Sequence, residues 1–110
     1  MTKVSRIEML KSFAEVEPEN PFNFYALALE FIEFDQDSAS FLFKKLLKEF
    51  PDYLPTYFHA AAFFAELGDI QFSKKIYETG IQLADSQKDE KALKELKNSF
   101  QNFLFENDLD

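Results

Sequence analysis

The chain has 110 residues, which fits one domain. At 46% hydrophobic and 29% charged residues it is too apolar for disorder. Its net charge of −8, from 20 acidic against 12 basic residues, repels a phosphate backbone and sets nucleic acid aside as a partner.

The elements follow in chain order. Ile7, Leu10, Phe13 and Ala14 share a helical face before Pro18, and predict a helix within 1–18. Phe24, Leu27, Ala28 and Phe31 keep the i, i+3, i+4, i+7 spacing and predict a helix over about 22–34. Pro21 stands at its start, where a missing N–H costs nothing. The polar stretch Asp35-Gln36-Asp37-Ser38 reads as a turn. Ala39, Leu42, Phe43, Leu46, Leu47 and Phe50 predict a second helix over about 37–50. Pro51 ends it, because the residue before a proline resists the helical conformation. Tyr57, Ala60, Ala61 and Phe64 restart the pattern over about 55–67, after Pro55. Gly68-Asp69 is a turn signal. Ile76, Tyr77, Gly80, Ile81 and Ala84 predict a helix over about 70–84. Ala92, Leu93, Leu96, Phe100, Phe103 and Leu104 line one side of a last helix, and Lys88, Glu90, Lys91, Lys94, Glu95 and Gln101 the other.

The middle of the chain repeats. Phe24, Leu27, Ala28, Phe31 and Phe34 fall on Tyr57, Ala60, Ala61, Phe64 and Leu67, an offset of 33 residues. Ala39, Phe43, Leu46 and Pro51 fall on Ser73, Tyr77, Gly80 and Asp85, an offset of 34. The extra residue enters at the turn, where length changes are tolerated. Small residues (Ala28, Ala61, Ala39, Ser73, Gly80) alternate with large ones (Phe24, Tyr57, Phe31, Phe64, Phe43, Tyr77), so that helices can approach closely while rings fill the gaps.

This period and this small-against-large pattern resemble the tetratricopeptide repeat, a helix–turn–helix of about 34 residues. The second unit matches nearly throughout, with Asp85 in place of the usual terminal proline. The first has a shortened turn and Leu46 at a small position, but keeps Pro51. The resemblance implies an all-α fold: an antiparallel helix-turn-helix array, a right-handed α-solenoid closed by a capping helix. The expected single domain, 1–110, divides into a half-repeat helix (1–18), repeats at 21–52 and 54–87, a capping helix (88–106) and a frayed tail (107–110). The layout is similar to small stand-alone bacterial repeat proteins.

Family members hold a peptide or helix on the concave face lined by the first helix of each unit. By matching positions, that face here would show Tyr25, Leu29, Ile32 and Glu33, then Phe58, His59, Ala62, Ala65 and Glu66. Members that grip a C-terminal carboxylate place Lys and Asn on these positions. Tyr25, Leu29 and His59 depart from that set, so the carboxylate grip is not expected. The resemblance implies a non-catalytic adaptor or scaffold. Its expected partner is an apolar or basic peptide or protein. Self-assembly as a homodimer, through the groove or a terminal helix, is the alternative. Phe41, Phe72 and Phe105 fall off the main apolar lines and would serve it.

Catalytic signals are missing. The chain has no Cys, so no disulfide, thiolate or Cys-based zinc site is expected. His59 is the one histidine and has no second ligand or nucleophile pattern beside it. No Gly-rich phosphate loop is present among 2 Gly. No enzyme activity, cofactor or metal is therefore expected. No segment reads as a secretory signal or a membrane span, so membrane binding is not expected and the cytoplasm is the expected compartment. The close approach read at Ala61 gives a first test. Ala61→Leu should cost about 1–3 kcal/mol and lower the melting temperature; an unchanged thermal melt would contradict this packing.

Overall fold

In the computed structural model, residues 2–109 are described; Met1 and Asp110, the ends of the expected half-repeat helix and tail, lie outside them. Six helices and no strand occur among the described residues. They are α1 (Lys3–Val16), α2 (Pro21–Phe31), α3 (Gln36–Glu49), α4 (Pro55–Glu66), α5 (Ile70–Ser86) and α6 (Glu90–Glu106). The fold is therefore all-α, as the periodicity requires. The chain forms two compact units, the first running to Thr56 and the second starting at Tyr57.

In the first unit α2 packs against both α1 and α3. Its core is Ile7 and Ala14 of α1, Leu27, Ala28 and Phe31 of α2, and Ala39, Leu42, Phe43 and Leu46 of α3. Each helix start is capped by a side chain: Thr2 accepts from the Ser5 N–H, Asn20 from Phe22, and Asp35 from Ser38. Each cap satisfies one N–H that the helix cannot. Arg6 Nε donates to Glu30 Oε1 at 3.0 Å and ties α1 to α2. α2 ends three residues before the expected 34. Phe34 and Asp35 both donate their N–H to the Phe31 carbonyl, which tightens the last turn and frees Asp35 to cap α3.

In the second unit Ser73 Oγ donates to the Ala61 carbonyl at 2.7 Å, fixing α5 against α4. The Tyr77 hydroxyl lies 2.7 Å from Ser99 Oγ, and its ring stands 5.3 Å from both Phe100 and Phe103, fixing α6 on α5. Phe72, expected off the apolar line, packs edge-on against Phe64 at 4.7 Å. α5 runs two residues beyond the expected 84. Asp85 stands where the first repeat has Pro51, and nothing there stops the helix.

The three helices of this unit end alike. Gly68, Lys88 and Asp108 have φ of 86°, 58° and 55°. Asp69, Asp89 and Leu109 then donate back to the carbonyls of Phe64, Ala84 and Leu104. This is the left-handed closure that favours glycine, and only the first of the three is one.

Two buried polar atoms, Asn23 Nδ2 and Thr56 Oγ1, have no hydrogen-bond partner among the described residues. They sit 33 residues apart, at the same repeat position.

Gly80 sits at a close approach of α5 to α4. A Cβ built there would lie 2.7 Å from Tyr57 Cβ. Gly80→Ala gains about 1 kcal/mol of helix propensity. The clash is with an atom next to the backbone, so α4 and α5 must part, at a cost of about 1–3 kcal/mol. The expected outcome in a thermal melt is net destabilisation of the kind that a helix-propensity argument alone would miss. A raised melting temperature would show the contact to be soft.

Candidate functional site

The nine residues expected to bind lie on two helices and their ends, and each strip is described within its own unit. On α4, Tyr57, Ala60, Ala61 and Phe64 turn inward and are buried. A helix of this period then leaves Phe58, Ala62, Ala65 and Glu66 on the opposite side, with His59 at the flank. Phe58 is 38% exposed, Ala62 and Glu66 are exposed, and Ala65 and His59 are half-buried. The Phe58 and His59 rings meet edge to face at 5.4 Å. Burial pushes the His59 pKa below its ordinary value of 6.5.

On the first unit, α2 carries Tyr25 and Leu29, both half-buried; half-buried Ile32 and exposed Glu33 follow in the turn after it. Tyr25 packs edge to face with Tyr53 at 5.7 Å. Burial first, and Tyr53 second, raise the Tyr25 hydroxyl pKa. Tyr25 is therefore partly committed to internal packing. Sequence reasoning missed Phe22, which is 53% exposed and shares the face of Leu29 one step of seven away. The i, i+7 spacing behind Pro21 was the available signal.

Another surface was also missed. A cleft of about 770 Å³ opens in the first unit, between α1 and α3 over α2. Ile7, Leu27, Phe31, Phe34, Phe41 and Leu42 line it, and none of the nine expected residues does. Glu8, Glu15, Asp35 and Asp37 outnumber Lys11 along it. The Ser38 hydroxyl and N–H both donate to Asp35 and hold its carboxyl below the usual range. Lys3 stands over the Phe34 ring at 5.8 Å. Phe41, read from the sequence as off the apolar line, is 69% exposed here.

No group of three His, Asp or Glu side chains is placed to hold a metal among the described residues. No helix among them is long and apolar enough to cross a membrane.

Two successive helix pairs, α2–α3 and α4–α5, with rings and small residues alternating at matching positions, define a helical-repeat protein. No family model and no curated protein matches the sequence. Among solved structures, the solution NMR structure of a tetratricopeptide repeat domain protein from Salinibacter ruber is 33% identical. It matches with a TM-score of 0.73 over 78% of this chain and 88% of that one. A crystal structure of a tetratricopeptide repeat domain protein from the same organism is 30% identical, with a TM-score of 0.72 over 76% of this chain and 96% of that one. The chain belongs to the tetratricopeptide repeat family and is, in general terms, a protein-interaction repeat module.

His59 supplies a pH prediction. Its folded pKa lies below the unfolded value, so between the two the unfolded chain binds more protons. The stabilising contribution is complete above about pH 6.5 and is lost as the pH falls toward the folded pKa. His59→Asn should therefore lose less melting temperature than the parent between about pH 7.5 and pH 5.5. Equal losses would show that His59 titrates alike in both states.

Proposed function

We propose that the chain is a non-catalytic adaptor that holds a peptide or helix of another protein on the outward strips of its first helices. On α4 the strip is Phe58, Ala62, Ala65 and Glu66, with His59 beside it. On α2 and the turn after it, the strip is Tyr25, Leu29, Ile32 and Glu33, extended by Phe22. The observation that carries this reading is Phe58. It is a large ring left 38% exposed, with small, open Ala62 one turn on and Glu66 two turns on. A ring beside a small residue offers a depression for an apolar side chain, and an exposed carboxylate at the edge suits a Lys or Arg. The partner is accordingly an amphipathic helix or extended segment, apolar on the docking side with basic flanks. The absence of a Lys/Asn set on these positions disfavours a terminal carboxylate as the anchor.

Charge reversal tests it. Phe58→Glu or Leu29→Glu should abolish capture of an amphipathic basic peptide in a binding titration, with helicity by circular dichroism unchanged. Capture that survives both changes but is lost in Phe41→Glu would move the site to the cleft of the first unit and overturn the strip model.

A further inference from the structure

Tyr25 stands on α2, and Tyr53 lies in the link between α3 and α4, outside any helix. The backbone holds that link: Tyr53 donates its N–H to the Phe50 carbonyl at 3.0 Å, and Thr56 donates to the Tyr53 carbonyl. The two rings meet at 5.7 Å between centroids, edge to face at 71°, although all of α3 lies between them in sequence. Both side chains are half-buried, so each keeps an edge open to solvent. Burial raises both hydroxyl pKa values, and the Tyr53 charge raises that of Tyr25 further. Repulsion of that kind is felt between near neighbours, which sets the two hydroxyl ends close to each other.

The chain offers few other places for an oxidant to act. It has no Cys and no Trp. The other two tyrosines, Tyr57 and Tyr77, are 3% exposed. Methionine is oxidised by gaining an oxygen, not by joining a neighbouring ring.

We propose that Tyr25 and Tyr53 form an oxidative crosslinking site, at which a one-electron oxidant joins the two rings and so takes Tyr25 out of the α2 strip. The oxidant is a peroxidase acting with hydrogen peroxide. Each phenol gives up one electron and its hydroxyl proton. The two phenoxyl radicals couple through ring carbons beside the oxygens, and the proton on each of those carbons then moves to its oxygen. One carbon–carbon bond forms and two ring carbon–hydrogen bonds break. The two electrons and two protons reduce one peroxide to two waters. Rotation about the side-chain bonds of two half-open rings closes the remaining gap. The bond pins the α3–α4 link to α2 and restricts the unfolded chain, which raises the melting temperature. The crosslink follows from the ring contact; its effect on docking rests on the strip reading above.

The test treats the dilute chain with a haem peroxidase and hydrogen peroxide. Mass spectrometry should show single chains lacking two hydrogens, apart from oxygen added to methionine. Trypsin should then release residues 12–44 joined to residues 49–74. Tyr25→Phe and Tyr53→Phe should each lose that product, with unchanged circular dichroism. Tyr53→Phe keeps Tyr57 on the same peptide, so its loss of the product assigns the bond to Tyr53. The proposal is overturned by the absence of a joined peptide, by one that survives either substitution, or by a link between two copies instead. For docking, the linked chain should no longer capture the amphipathic basic peptide that the unlinked chain holds. Equal capture by both would overturn the control of docking. Capture by neither would overturn the strip reading and its docking consequence, and leave the crosslink in place.

Discussion

The packing of the second unit turns on a residue with no side chain set against the Tyr57 side chain. Gly80 lets α5 approach the Tyr57 side chain to a distance that any Cβ would block. One turn pair earlier, Ser73 is small enough to sit on α4 and reach the Ala61 carbonyl. These two points set how deep α5 lies. That depth decides where Tyr77 stands, and Tyr77 in turn receives Phe100, Phe103 and Ser99 of α6. The first unit uses the same logic with other residues. Ala28 and Ala39 are fully buried there, and Leu46 occupies the position that Gly80 holds in the second. The pair α2–α3 is packed on a larger side chain at that point, which accords with the first repeat being the less regular of the two.

Much of this was legible because apolar spacing and proline placement carry it directly. The four central helices follow from the i, i+3, i+4, i+7 lines and from Pro21, Pro51 and Pro55. Helix ends were less legible, for reasons that can be named. The short turn after α2 carries no glycine to mark it, and hydrogen bonding to Phe31 O closes the helix earlier than the apolar line suggests. The left-handed closure at Lys88 uses a residue that does not advertise that conformation, whereas Asp108 is of a type that adopts it more readily. The burial of Asn23 and Thr56 ran against their polarity.

The candidate site divides in the same way. Phe58, Ala62 and Glu66 could be placed on an open face because their inward neighbours on α4 are unambiguous. Tyr25 could not be judged so simply, since its ring packs on Tyr53, which lies outside any helix. The cleft between α1 and α3 was invisible because it depends on how three helices are set together. Of its exposed rings, Phe34 reads in the sequence as an ordinary repeat position and Phe41 as a departure from the pattern. Binding surfaces made of such departures carry no fixed spacing for a reader to find. Both surfaces share an acidic edge, and that common feature orients the partner chemistry more firmly than any single residue does.

The tyrosines have a spectroscopic consequence. The chain has no tryptophan to mask them, and its 4 Tyr divide evenly between the two units. Tyr25 and Tyr53 face each other in the first; Tyr57 and Tyr77 are buried at the Gly80 contact and under α6 in the second. Near-ultraviolet signals from the two pairs therefore report on separate halves of the molecule. Removing one pair by conversion to phenylalanine leaves the other as an intrinsic label. Whether the halves lose structure together or in sequence thus becomes a measurable property of the unmodified backbone, with no dye attached.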